Sequence, residues 1–89
     1  MGRGEISWVR QNEEGERLQV YAQRTGDRWN FYIRPKRFEQ WADLEQPPLE
    51  DWMELLDGVR RRALRRLMRP EEIQRVEKCI RERFPHAEL

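Results

Sequence analysis

The chain has 89 residues, enough for one domain with one modest core and too few for two independent ones. Charged residues make up 39% and hydrophobic ones 37%. Four Trp, three Phe and two Tyr supply the large side chains from which a core is built, so the composition predicts an ordered domain. Eighteen basic against 17 acidic residues leave a net charge of +1, which excludes a global attraction to nucleic acid or anionic lipid and leaves such binding to local charge segregation.

Residues 5–11, 17–25 and 28–34 alternate apolar and polar and predict three strands. Gly26-Asp27 suits a two-residue hairpin loop, which pairs Thr25 with Arg28, Tyr21 with Tyr32, Gln23 with Asn30, Ala22 with Phe31 and Val20 with Ile33. A three-residue loop Glu13-Glu14-Gly15, with Gly15 in the left-handed conformation, pairs Trp8 with Val20 and Ile6 with Ala22. One face of the resulting meander carries Ile6, Trp8, Leu18, Val20, Ala22, Trp29, Phe31 and Ile33. The other, counted from Ser7, carries Val9, Gln11, Arg17, Gln19, Tyr21, Gln23, Asn30, Tyr32 and Arg34, and no acid.

Residues 35–48 form a connector in which Phe38, Trp41 and Leu44 have near-helical spacing, so a short helix or turn over 36–44 is expected. Pro47-Pro48 presets a helix start at 49, with Glu50 and Asp51 in the first turn where the helix dipole favours acids. Trp52, Leu56, Val59, Ala63 and Leu67, flanked by Met53, Leu55 and Leu64, carry the apolar stripe of a helix over 49–68. Pro70 interrupts it, and Ile73, Val76, Ile80 and Phe84 mark a second helix over 71–84, with 85–89 as a flexible tail. The fold class is therefore α+β: a three-stranded antiparallel meander covered on one face by a helical hairpin, order β-β-β-α-α, in a single domain spanning 1–89. A homodimer is a further way to bury apolar faces that one short chain cannot cover.

Seven acids and no base lie between Glu39 and Asp57; six arginines and no acid lie between Gly58 and Arg69. Acids near a helix start and bases near its end complement the macrodipole, and Asp57 to Arg61 adds an i,i+4 pair. The alternative is that Arg61, Arg62, Arg65 and Arg69 share the polar side of the last turns as a ridge for an anion or a partner. Arg60 has the apolar helical neighbours Met53, Leu56, Ala63, Leu64 and Leu67. Its stem is expected in an interface, with its charge answered by Asp57 or by an acid across the domain.

No motif for chemistry emerges. Gly2-Arg3-Gly4 lacks the spacing of a phosphate loop, and one Cys with one His cannot furnish a tetrahedral metal site. Cys79 and Ser7 have only His86, in the expected tail, as an imidazole partner, so no nucleophile is matched with a base. No enzymatic activity, cofactor or metal is expected. A lone cysteine fits no disulfide framework, the opening residues have no apolar run of signal-peptide length, and no stretch approaches the roughly 20 apolar residues that span a bilayer. The location expected is cytoplasmic, with no membrane partner.

What is left is the polar sheet face. Tyr21 and Tyr32 form a cross-strand pair with Gln19, Gln23 and Asn30 around it and Arg17 and Arg34 beside it, a mix found on platforms for single-stranded nucleic acid and equally on protein interfaces. Cross-strand Tyr pairs also simply stabilise hairpins. Because the net charge is near zero, a protein partner or a second copy is favoured, with single-stranded or duplex nucleic acid as the alternative. The order strand, strand, strand, helix resembles in architecture the sheet-reading DNA-binding modules of plant AP2 domains and of the arm-binding domains of phage integrases. No residue string of either family occurs here, so the resemblance carries over no site residue.

Overall fold

The computed structural model describes residues 5–35 and 39–89. Its elements are β1 (Glu5–Gln11), β2 (Arg17–Thr25), β3 (Arg28–Arg34), β4 (Ala42–Asp43), α1 (Leu49–Leu64) and α2 (Glu71–Arg83). This is the α+β order β-β-β-α-α with one short strand added. Contacts divide the chain into two compact units, residues 1–47 with the sheet and residues 48–89 with the helices.

The sheet is antiparallel throughout, with spatial order β1-β2-β3-β4. Both hairpins adopt the expected registers: Trp8 faces Val20, Ile6 faces Ala22, Tyr21 faces Tyr32 and Ala22 faces Phe31. Turn chemistry explains why. Asn12 N–H donates to the Glu16 carbonyl at 2.9 Å and Gly15 N–H to the Asn12 carbonyl at 3.0 Å, which closes a loop of three residues. The Asn12 Oδ1 accepts the N–H groups of Glu14 and Glu16, each at 2.9 Å, so one side chain satisfies the loop's inner donors. Gly15 (φ +82°) and Gly26 (φ +65°) take the left-handed conformations that the two loops require. On the apolar face Ile6, Leu18, Val20, Ala22 and Phe31 are buried, while Trp8, Trp29 and Ile33 are half-buried.

The expected helix or turn over 36–44 is corrected in its described part: Ala42 and Asp43 form a strand opposite Ile33 and Tyr32. Residues 36–38 lie outside the described residues. Leu44 N–H donating to the Phe31 carbonyl at 2.9 Å extends this pairing. The β3 edge offers unpaired donors and acceptors, and a passing extended segment satisfies them better than an isolated helical turn.

In the helical unit, Trp52, Leu55, Leu56 and Val59 of α1 and Val76 and Ile80 of α2 are buried at the expected periodicity. Asp51 and Glu72, both in first turns, are buried as well, and Glu72 pairs with Arg75 at 3.6 Å. The Arg60 guanidinium bridges from α1 to Glu77 of α2 at 3.0 Å. The expected cross-domain acid is thus present, but the Arg60 side chain is 44% exposed and not buried in an interface, so the pair contributes under about 1 kcal/mol. Asp57 instead pairs with Arg61 at 3.3 Å, the expected i,i+4 contact. Among the described residues no helix is long and apolar enough to cross a membrane.

The helix expected over 49–68 ends four residues earlier, at Leu64. Arg66 adopts φ +61°, its N–H donates to the Ala63 carbonyl at 3.0 Å, and Leu67 N–H donates to the Arg62 carbonyl at 2.8 Å. This is a Schellman reversal with arginine where glycine is usual. Arg69 therefore does not continue a helical ridge with Arg61, Arg62 and Arg65, and the ridge is corrected to two parts on either side of the turn. An L-residue held left-handed costs about 1–2 kcal/mol, partly offset for glycine by its greater freedom in the unfolded chain. Arg66→Gly is accordingly expected to stabilise the protein by about 0.5–1 kcal/mol, read as a higher urea midpoint at unchanged slope, and Arg66→Val to destabilise it.

Candidate binding face on the sheet

The polar face is built by strand alternation, which sends Ser7, Val9, Gln19, Tyr21, Gln23, Asn30, Tyr32 and Arg34 to one side. At its centre Tyr21 and Tyr32 stack at 4.8 Å between centroids and 25° between planes. Trp41, from the segment before β4, meets Tyr21 edge-to-face at 4.6 Å and 87°. The Arg34 guanidinium lies 4.3 Å from the centroid of the Trp41 ring, its Nε donates to Gln19 Oε1 at 2.6 Å, and its Nη1 reaches the Glu39 carbonyl at 3.4 Å. Three aromatic rings and one arginine thus form a single connected array.

The expectation of an acid-free face is overturned by the same register. Glu5 stands opposite Gln23 and Asp43 opposite Tyr32, so both carboxylates belong to the face of the tyrosine pair. The first lies one alternation before Ser7 at the start of β1, and the second arrives with β4. Their field is felt: burial pushes the Tyr21 phenol above its ordinary value, and Tyr32, Glu5 and Asp43 push it further the same way. Below about pH 10 Tyr21 is neutral whether folded or unfolded; above it the unfolded chain ionises first, so stability is lost as pH rises through the folded value. Alkaline melts should therefore show a loss above about pH 10 that Tyr21→Phe reduces, with tyrosinate absorbance confirming one tyrosine that titrates late.

Of the residues singled out from the sequence, Gln19, Tyr21, Tyr32 and Arg34 come together. Gln23 and Asn30 flank them on the same face; Asn30 Nδ2 donates to Thr25 Oγ1 at 3.3 Å. Arg17 is exposed at the far end of β2, about 13 Å along the strand from Tyr21 at ~3.3 Å per residue. A depression of about 420 Å³ beside the array is lined by Glu5, Ser7, Val9, Gln19, Tyr21, Arg34 and Trp41 among others. β1 is the open edge of the sheet on this side, and Val9 is 47% exposed on it.

The basic residues of the helical unit lie apart from this face in the chain. Arg61, Arg62 and Arg65 line one small hollow with Leu67, whereas Arg69 lines another with Leu64, Leu67 and Met68. Among the described residues no group of three or more His, Cys, Asp or Glu side chains is placed to hold a metal ion. The chain matches no protein-family model, no curated protein and no solved structure.

Proposed function

We propose that the protein is a small non-catalytic binding module whose partner is a protein, taken up on the sheet face around Tyr21, Tyr32, Trp41 and Arg34. The connected aromatic array carries the reading. Tyr, Trp and Arg are the residue types enriched at protein interfaces, and here they are held against one another, so little side-chain entropy remains to be lost on binding. The adjoining depression, lined by Ser7, Gln19 and Arg34 beside Val9 and Trp41, offers room for one or two partner side chains. The open β1 edge offers main-chain groups to an extended segment.

Nucleic acid fits the same face less well. Stacking of bases needs free ring faces, yet each of the three rings already commits a face or edge to a neighbour. Arg34, the arginine nearest the rings, is engaged by Gln19, Glu39 and Trp41, and the two carboxylates beside the tyrosines oppose phosphate. A cytoplasmic location belongs to the same proposal, because there Cys79 stays a thiol.

Panning a random peptide display library on the wild-type protein tests the reading, with Tyr32→Ser and Trp41→Ala as counter-selections. Enrichment of one motif that binds wild type and neither variant is the expected result. No enrichment, together with salt-sensitive amide shifts at Tyr21, Tyr32, Gln23 and Asn30 on adding a mixed-sequence single-stranded oligonucleotide, would replace the protein partner by nucleic acid.

A further inference from the structure

The reversal after α1 leaves an unusual tip. Leu64 is 86% and Leu67 71% exposed, the two most exposed large apolar side chains among the described residues. Arg65, Arg66 and Arg69 stand exposed around them. Two hollows, of about 210 and 530 Å³, meet at Leu67 and are lined by the arginines and leucines together with Met68. Arg66 holds its left-handed backbone conformation at this reversal, and both leucines on either side of it face outward.

The complementary chemistry is on the same chain. Residues 39–45 carry Glu39, Asp43 and Glu45, all exposed, around Trp41, and contain no base. An acidic strip with an aromatic residue at its middle is what a basic tip with two leucines needs: charge for charge at the rim and apolar against apolar at the centre. Leu64, Leu67, Glu39 and Glu45 are all exposed and open to such a contact.

We infer that the basic, leucine-bearing tip at 61–69 docks on the acidic segment 39–45 of a second copy of this chain. Unlike surfaces meet, so the contact is made reciprocally in a two-fold pair or repeats from copy to copy as a ring or an open chain. It shares Trp41 with the sheet-face reading, which leaves the tip without a role, and the two fail separately: panning with Tyr32→Ser reports on the face, and solution mass with the tip variants reports on the tip.

Sedimentation of the chain over a range of concentrations is the test. The weight-average mass is expected to rise above 11.1 kDa with concentration. It should fall back toward that value between about 0.1 and 1 M salt, as the Debye length drops from about 10 to about 3 Å. Leu64→Ser with Leu67→Ser, in one chain, should abolish the rise while circular dichroism stays unchanged. The decisive arm is a charge swap. A chain with Arg65→Glu and Arg69→Glu, and another with Glu39→Lys and Glu45→Lys, should each remain monomeric, yet associate when mixed, because each then offers the other's complement. Wild type that stays monomeric at low salt overturns the inference, as does association that survives the double serine change or a mixture no heavier than its parts. Monomeric wild type that cosediments with vesicles of anionic lipid also overturns it, and would assign the tip to a membrane surface.

Discussion

Truncating Phe31 to Ala is expected to cost about 3–5 kcal/mol, a large share of the 5–15 kcal/mol that stabilises a typical small protein. Phe31 is 4% exposed and sits in β3 opposite Ala22, so its ring fills the space that the small residue leaves. Trp8 approaches it edge-to-face, with centroids 6.1 Å apart and planes at 73°. Its carbonyl also accepts the bond that ties Leu44 to the sheet. Removing the ring loses transfer energy and opens a cavity that the flanking strands cannot close without breaking register. At ~4–8 °C per kcal/mol for a domain of this size, Tm should fall by well over 10 °C. Phe31→Leu, which keeps most of the volume, should cost clearly less. Urea unfolding followed by tryptophan fluorescence measures both; a loss below about 1 kcal/mol for Phe31→Ala would show that this face is not core.

Two leucines eight residues apart in α1 should respond in opposite ways. Leu56 is fully buried and Leu64 is 86% exposed, although both belong to the apolar pattern of the sequence. Leu56→Ala should cost about 2–5 kcal/mol and Leu64→Ala no more than about 0.5. The comparison isolates burial from residue type, since helix propensity changes by the same small amount at both sites. Equal losses would place Leu64 in the core. The same melts report on domain organisation: in a single cooperative domain, the Leu56→Ala change lowers the transition of the sheet tryptophans as well as that of the helical signal.

Much of this architecture was legible because its determinants are local. Gly15 and Gly26 mark loops whose lengths leave one register that keeps both faces consistent, and the strand pairs follow from that. The helix starts are written in Pro47-Pro48 and Pro70 with the acids after them. What escaped lacks a local mark. A two-residue strand has no periodicity, so β4 and the carboxylate it brings to the tyrosine pair were invisible, and with them the place of Trp41. The end of α1 was missed because Leu67 continues the three-and-four spacing and no glycine or proline stands at 66; only the left-handed Arg66 reveals the stop. Burial of Asp51 and Glu72 is equally silent in sequence, since acids in a first turn are favoured by the dipole whether or not they face water.

The meander has a kinetic corollary. Every strand pairs with its neighbour in the chain, and the widest pairing joins Glu5 to Gln23 across a loop already closed at Gly15. Closure entropy grows only slowly with loop length and is smallest for such nested contacts, so each hairpin can zip outward from its turn on a timescale of ~1–10 μs. The slowest step in assembling the sheet is then set by capture of the segment at Ala42–Asp43, the one pairing in which a connector of several residues, rather than a tight turn, must find its place beside β3.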